Sequence, residues 1–151
     1  MSWTNLENKV VVVTGGAAGI GLAVVKGLVE VGAQVMIADF SEEAGFRAVE
    51  EAHSDGSGQA DFYKCDVTSK KDVDALIEAT VQKWGTVDAL VNNAGITMDN
   101  LSLRMKDQEW RKVIDINLSS TFYLCKYAIK KMLKNKYGRI VNITSIVGHT
   151  G

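Results

Sequence analysis

Glycines crowd a short stretch near the N-terminus, where Gly15, Gly19 and Gly21 stand in the segment "TGGAAGIG". A β-branched apolar run precedes this segment, and a stretch with helical spacing follows it. Glycines in such a turn let the backbone approach a pyrophosphate, and the N-terminus of the following helix points free N–H groups at the phosphates. We predict a phosphate-binding turn here that includes Ile20, and the alternative is a glycine-rich turn without a ligand.

Asp39 ends the second apolar run of the chain and is followed by Phe40. A carboxylate at this point can accept hydrogen bonds from both ribose hydroxyls of an adenosine, and it repels a 2′-phosphate. The glycine turn offers no basic counter-ion, because Ala17 and Ala18 stand there. The sequence therefore favours NAD over NADP, although Asp39 could instead only cap the helix that starts near Ser41.

Two further polar positions follow apolar runs. Asp66 could accept a hydrogen bond from the exocyclic amine of adenine while Val67 packs on the ring, or both could belong to an ordinary turn. Ser145 follows the last apolar run, Ile140 to Ile143. A serine at the carboxyl end of a buried strand lies where an α/β sheet binds ligands. Ser145 is therefore a candidate catalytic residue, with a simple turn residue as the alternative.

The elements that must position these residues alternate along the chain. Short apolar runs predict strands, and amphipathic stretches between them predict helices. Because such βαβ units give right-handed crossovers, we expect one Rossmann-type doubly wound parallel sheet over residues 1–151. The predicted strands are Lys9–Gly15, Ala33–Asp39, Ala60–Val67, Val87–Gly95 and Arg139–Ser145, and the predicted helices are Gly19–Gly32, Ser41–His53, Thr68–Gly85 and Lys106–Gly138, with a turn at Asp55–Gly58.

Composition limits the classes of function. The 151 residues are 46% hydrophobic and carry a formal net charge of -1, which suits one domain and leaves no basic footprint for nucleic acid or an anionic membrane. We find neither a signal peptide nor an apolar run long enough to span a membrane, and expect a cytoplasmic protein. Cys65 and Cys125 are expected to be buried, reduced thiols rather than a disulfide or metal site. The lysine-rich stretch Lys126–Arg139 is interpreted as a solvated helix face.

Together these motifs resemble the short-chain dehydrogenase/reductase family. The resemblance rests on "TGGAAGIG", Asp39, "CDV", "NNAG", Asn117 and Ser145, and it covers the chain from about Asn8 to Gly151. The stretch from "NNAGITMDN" to "GRIVNITSIVG" is particularly similar to the 3-oxoacyl-[acyl-carrier-protein] reductase branch. That branch usually prefers NADP and has a basic residue where Ala18 stands. The pair Ala18 and Asp39 is more similar to NAD-linked polyol or 3-hydroxyacyl members.

The resemblance implies hydride transfer between a nicotinamide and a carbonyl or secondary alcohol, on a 3-oxoacyl thioester or a polyol-like substrate. It implies that the "NNAG" segment, with Asn93, Ala94 and Gly95, lines the cofactor cleft and steadies the central strand. It further implies that Asn117 holds a helix bend and a water of a proton relay, and that Ser145 hydrogen-bonds the substrate. Relatives are expected to be homo-dimers or homo-tetramers.

The family's proton donor is a tyrosine with a lysine four residues later, on the helix after strand five. Tyr127 and Lys131 have this spacing but lie on the preceding helix, so the expected pair falls beyond Gly151. We therefore expect a sheet truncated after its fifth strand, in the order 3-2-1-4-5, and no turnover by this chain alone. Its exposed fifth strand invites self-association. The alternative is a non-catalytic nucleotide-binding fragment, or a piece that assembles or folds with another chain.

Overall fold

The computed structural model describes residues 5–53 and 58–150, and within these ranges five parallel strands form one sheet. The order β3-β2-β1-β4-β5 confirms the predicted doubly wound α/β fold. The predicted turn at residues 55–58 lies outside the described residues except for Gly58. The strands are β1 (Val10–Thr14), β2 (Gln34–Asp39), β3 (Gln59–Lys64), β4 (Ala89–Asn92) and β5 (Arg139–Asn142).

Helices cover both faces of the sheet, and each face has its own apolar core. On one face, Val12 and Leu90 of the strands pack in a cluster with Leu76 and Leu124. On the other face, Val13 belongs to a second cluster with residues of the first two helices. Because β1 is buried on both sides, its uniformly apolar sequence is explained. The helices are α1 (Gly19–Glu30), α2 (Glu42–Ala52), α3 (Lys70–Trp84), α4 (Asp107–Ile114), α5 (Ser120–Asn135) and α6 (Val147–Thr150).

The prediction of one continuous helix over Lys106–Gly138 is wrong, because two α-helices occupy this stretch. A π-helical segment, Asp115–Ser119, separates α4 from α5. Within it, Asn117 binds the peptide of Ile96 twice: Ile96 N donates to Asn117 Oδ1 at 2.9 Å, and Asn117 Nδ2 donates to Ile96 O at 2.9 Å. A π-bulge adds one residue to a turn, which hardly disturbs the apolar spacing of so long a helix. The sequence pattern therefore could not reveal it.

The bounds of several strands also differ from the prediction, and the carboxyl ends of β3 and β5 matter most for the predicted site residues. β3 ends at Lys64, so Asp66 and Val67 lie in the turn before α3, and Ser69 rather than Thr68 caps that helix. β5 ends at Asn142, so Ser145 lies three residues beyond the strand. Beyond these strand ends, the side chains of Asp66 and Ser145 accept local hydrogen bonds from Thr68 and Val147.

Some surface and thiol predictions need correction as well. Cys65 and Cys125 are both free, but only Cys65 is buried, and Cys125 is partly buried. The lysine-rich stretch is mostly exposed, yet the Lys131 side chain is only 15% exposed and forms an ion pair with Glu78 of α3. Lys131 Nζ donates a hydrogen bond to Glu78 Oε1, and this bond is the main reason that the pKa of Glu78 is lowered from its ordinary value. In the described part of the chain, no helix is both long and apolar enough to cross a membrane.

Candidate functional site

A cleft of about 750 Å³ opens at the carboxyl ends of the strands. Parallel strands end at one edge of the sheet, and the crossover connections diverge there on either side of β1, which leaves a crevice. Loops after four strands form one wall of the cleft, and α4 with the π segment forms the other. The lining residues are Gly15, Ala38, Asp39, Phe40, Cys65, Asp66, Val67, Thr68, Ala94, Gly95, Ile96, Gln108, Arg111, Lys112, Asp115 and Ile116.

The glycine turn lies at the end of β1, and its backbone is closely packed. Gly15 has a φ of 60° and Gly19 a φ of 53°, which are left-handed conformations that favour glycine. At Gly21, an added Cβ would stand 2.0 Å from the carbonyl oxygen of Gly15. A side chain at Gly21 would therefore displace the start of α1 from the loop. Gly19 and Ile20 are exposed and do not line the cleft.

The N-terminus of α1 differs from those of the next two helices. Ser41 and Ser69 cap α2 and α3 with their hydroxyl oxygens, and both helices have acidic residues in the first turn. At α1, the N-cap is Ala18, which offers no side-chain acceptor, and the first turn contains no acidic residue. Its N–H groups and positive dipole end remain available to an external anion.

A hydrogen-bonded clasp ties the glycine turn to the segment after β4. Asn93 N and Ala94 N each donate to Thr14 Oγ1 at 3.1 Å. Asn93 Nδ2 donates to Thr14 O at 3.1 Å and to Gly15 O at 3.0 Å. Asn93 itself is not among the cleft-lining residues, so it positions the turn from behind. Sequence reasoning missed Thr14, although a hydroxyl at the end of an otherwise apolar buried strand is a usable signal.

Asp39 lines the cleft at the end of β2. Its Oδ2 accepts from Ala17 N at 3.2 Å, and its Oδ1 accepts from Ser41 N at 3.1 Å. Asp39 thus bonds to the backbone just before α2, as in the alternative role of a helix cap, but the side chain that caps α2 is that of Ser41. A carboxylate has about four acceptor positions, so capacity remains for two ligand hydroxyls. Phe40, next to it, lines the same cleft with 71% of its surface exposed.

Asp66 and Val67 lie beside Asp39 in the cleft wall. Asp66 Oδ1 accepts from Thr68 N at 2.9 Å and from Thr68 Oγ1 at 2.7 Å, which is the ordinary turn role. Among residues 5–53 and 58–150, nothing donates to its other oxygen, so that Oδ2 is available to a ligand. Burial raises the pKa of the neighbouring Cys65 thiol to about 12, with the carboxylates of Asp72 and Asp66 adding to the effect. Cys65 therefore stays neutral in the cleft wall at neutral pH.

The two predicted catalytic residues lie outside the cleft lining. Both side-chain polar atoms of Asn117 bind the Ile96 peptide, and Ile96 does line the cleft. Asn117 therefore shapes the cleft through the loop after β4. Ser145 is exposed, and its Oγ accepts from Val147 N at 3.4 Å at the start of α6. The structure thus gathers seven predicted residues at the cleft: Gly15, Asp39, Phe40, Asp66, Val67, Ala94 and Gly95.

Sequence reasoning also missed the wall formed by α4. Gln108, Arg111, Lys112 and Asp115 line the cleft, and their spacing places them on one face of the helix. In the described ranges, neither Arg111 nor Lys112 forms an ion pair. Helical spacing of these residues was visible in the sequence, but only the crossing of α4 over the strand ends shows that this polar face looks into a cleft.

A sequence model of the short chain dehydrogenase family matches residues 9–151. The chain belongs to this short-chain dehydrogenase family. Its similarity to 3-oxoacyl-[acyl-carrier-protein] reductases is confirmed by FabG of Chlamydia muridarum, 42% identical over 97% of this chain, and by FabG of Vibrio cholerae, 43% identical over 97%. The chain spans 59% of the length of each of these relatives.

Two solved structures have the same fold as this chain over more than half of their own length. NAD⁺-bound xylitol dehydrogenase matches with a TM-score of 0.93 and 32% identity, over 98% of this chain and 57% of that one. The protein gox2181 matches with a TM-score of 0.89 and 38% identity, over 95% and 56%. Three features of this chain lie at or next to the cleft: a glycine turn in which a Cβ at Gly21 would clash with Gly15 O, the uncapped N-terminus of α1 beside that turn, and the carboxylate of Asp39 in the cleft wall. Together they fit a dinucleotide.

Proposed function

We propose that this chain supplies the dinucleotide-binding part of an NAD(P)-dependent oxidoreductase that transfers hydride between a nicotinamide and a carbonyl or secondary alcohol. One observation carries the proposal. The N-terminus of α1 has no side-chain cap and follows a glycine turn in which Gly21 leaves no room for a side chain. Gly15 of that turn and Asp39 both line the cleft. This arrangement suits a molecule that joins a pyrophosphate to a ribose.

Each part of the cleft would bind one part of the cofactor. The N–H groups that begin α1 would donate to the pyrophosphate, with Gly19, Ile20 and Gly21 supplying backbone. Asp39 would accept from the ribose hydroxyls, and the Oδ2 of Asp66 would accept from the adenine amine. The bound dinucleotide would supply or accept the hydride.

The remaining predicted residues would complete the site around the cofactor. Val67 and Phe40 would pack on its adenosine half. Ala94 and Gly95 would line the path beside it, with Asn93 holding the turn.

NAD is the favoured cofactor, and NADP is the less favoured one. A 2′-phosphate on the ribose would meet the carboxylate of Asp39, whose oxygens are fixed by the N–H groups of Ala17 and Ser41. The N-cap of α1 is Ala18, so this turn supplies no cation that could offset the repulsion. The similar xylitol dehydrogenase structure is NAD⁺-bound, in line with this preference.

Substrate chemistry is proposed from the relatives and from two residues. Ser145 would hydrogen-bond the substrate carbonyl or alcohol, and Asn117 would position the loop through Ile96. The candidate substrates are a 3-oxoacyl thioester, as in the names of the reductase relatives, and a polyol, as in xylitol dehydrogenase. We propose that this activity is cytoplasmic and belongs to a homo-oligomer, as expected for the relatives, without nucleic acid or membrane partners.

Binding and turnover are tested separately, because the chain spans 59% of the length of the reductase relatives. NADH and NADPH are titrated into the 151-residue chain and followed by nicotinamide fluorescence. We expect saturable binding, tighter for NADH, with no reduction of acetoacetyl thioester and no oxidation of xylitol. Binding of neither nucleotide would refute the proposed site.

Turnover by this chain would instead refute our assignment of the proton donor to a Tyr-x-x-x-Lys pair. The alternative, a non-catalytic nucleotide-binding fragment, is separated by supplying the remaining part of a FabG relative as a second chain. Activity that appears only in the mixture supports the oxidoreductase. Continued binding without activity supports the fragment alone.

A further inference from the structure

The two walls of the cleft carry opposite charges. The wall formed by the strand ends contains the carboxylates of Asp39 and Asp66, and the wall formed by α4 contains Arg111 and Lys112. Among the described residues, neither of these cations has an ion-pair partner. Both cations are exposed, so water solvates them until an anionic ligand replaces it.

The carboxylates of the strand wall are already partly compensated by the protein. Asp39 accepts from two backbone N–H groups, and Asp66 accepts from the N–H and hydroxyl of Thr68. What they still offer is acceptor capacity, which suits neutral donors such as ribose hydroxyls and an exocyclic amine. A cation is not needed to explain this wall.

The cations of the α4 wall have no such compensation from neighbouring side chains. Asp115 lies one turn after Arg111 on the same face, but its Oδ1 accepts from Ser119 Oγ at 3.5 Å and it forms no ion pair within the described ranges. Arg111 and Lys112 are both exposed at the mouth of the cleft. They are therefore free to extend toward an anionic group on a bound ligand.

We propose that Arg111 and Lys112 form a phosphate-recognising wall that makes the cleft select phosphorylated nucleosides over unphosphorylated ones. This inference rests on the proposed nucleotide site. The ligand that satisfies both walls has neutral hydrogen-bond donors on one side and phosphate on the other. The phosphate could be the pyrophosphate of the dinucleotide or a 2′-phosphate on its ribose, and binding measurements separate these two sources.

The test compares adenosine, ADP and adenosine 2′,5′-bisphosphate by isothermal titration of the 151-residue chain. The test variant is the double substitution Arg111→Gln/Lys112→Gln. The charge-matched control is Arg104→Gln/Lys126→Gln, since both of those cations are exposed and lie outside the cleft lining. Thermal unfolding of each variant checks that the fold is retained.

For the test variant we expect ADP affinity to fall about tenfold at 20 mM salt and less than about twofold at 500 mM, since salt screens exposed charges. Adenosine affinity should change less than about twofold in the same variant. An additional loss confined to adenosine 2′,5′-bisphosphate identifies the 2′-phosphate as the group recognised. An equal loss for both ligands identifies the 5′-phosphate that they share, which is the adenosine side of the pyrophosphate in the dinucleotide.

Three results would overturn the proposal. Equal ADP affinity and salt dependence in the test variant and the unmodified chain would remove Arg111 and Lys112 from recognition while leaving the nucleotide site intact. An equal loss of ADP affinity in the control variant would show that the effect comes from the net charge of the chain and not from the position of Arg111 and Lys112. Failure of the unmodified chain to bind any of the three ligands would refute the proposed function itself, and this inference with it.

Discussion

Thr14 and Asn93 are joined by two hydrogen bonds, from Asn93 N to Thr14 Oγ1 and from Asn93 Nδ2 to Thr14 O, each 3.1 Å long. They connect the end of the central strand to the segment after its neighbour, 79 positions away in sequence. Thr14 Oγ1 also accepts from Ala94 N and donates to Val91 O. One buried hydroxyl therefore holds the glycine turn against the adjoining wall of the cleft.

Replacing Thr14 by valine should destabilise the fold because it leaves two backbone N–H groups without an acceptor. We expect Thr14→Val to lower the free energy of unfolding by about 2 kcal/mol, the scale of buried unsatisfied donors. Urea denaturation measures this change. The matched control is Thr80→Val, since Thr80 is equally buried but only donates to Leu76 O within α3, and it should cost less than about 1 kcal/mol.

Equal losses in these two variants would contradict the clasp as a distinct stabilising feature. The clasp would then be an ordinary pair of contacts, and hydroxyl removal alone would explain both values.

Two glycines of α1 should respond oppositely to alanine. Gly21→Ala puts a Cβ 2.0 Å from Gly15 O, so we expect a loss of about 1–3 kcal/mol from overpacking, together with weaker nucleotide binding. Gly27→Ala meets nothing within 4 Å, and should stabilise α1 by about 0.5–1 kcal/mol through helix propensity. Thermal unfolding with and without NADH checks both. Unchanged NADH affinity in Gly21→Ala would argue against the close approach of backbone and phosphate.

Asp39 should control the choice between NAD and NADP. In Asp39→Ala, removal of the negative charge should lower the preference for NADH over NADPH by about tenfold at low salt. Titration of both nucleotides gives the ratio of their dissociation constants. Asp66→Ala is the control, because loss of the Asp66 carboxylate should weaken the binding of NADH and NADPH to the same extent. An unchanged ratio in Asp39→Ala would show that this carboxylate does not set the preference.

The Cys65 thiol should make the fold sensitive to alkali. Burial raises its pKa from the ordinary 9.0 to about 12, so above pH 9 the unfolded chain loses this proton while the folded chain keeps it. Stability present below pH 9 is therefore lost as the pH rises toward 12, by about 2 kcal/mol at pH 10.5. Urea denaturation at pH 8 and 10.5 measures the loss, and Cys65→Ala should abolish this part of it. An identical pH dependence in the variant would exclude Cys65 as the cause.

The fifth strand should promote self-association of this chain. β5 is at the edge of the sheet, and Val141 is 49% exposed. Sedimentation velocity over a concentration series should show association that Val141→Lys reduces, because lysine on an edge strand opposes pairing. Leu133→Lys, on the exposed side of α5, is the control. A stronger effect of the control would place the association on the helices.

The succession of strands and helices was available in the sequence, and the sheet order was available from the family resemblance and its doubly wound fold. Runs such as Val10–Val13 are apolar because β1 is buried on both faces, and alternation of such runs with amphipathic stretches leaves few topologies. Much of the strand-end wall was also predictable: Gly15, Asp39 and Asp66 follow apolar runs, and parallel strands end at one edge of the sheet.

What the sequence could not determine depends on contacts between distant segments. In the π segment, Asn117 forms two hydrogen bonds with the peptide of Ile96, and the local spacing of residues does not encode this contact. The role of Thr14 depends on Asn93, and the polar face of α4 became a cleft wall only because that helix crosses the strand ends. Local propensity and periodicity act over one or two turns of chain, whereas these features arise from packing between elements, and only the tertiary structure decided them.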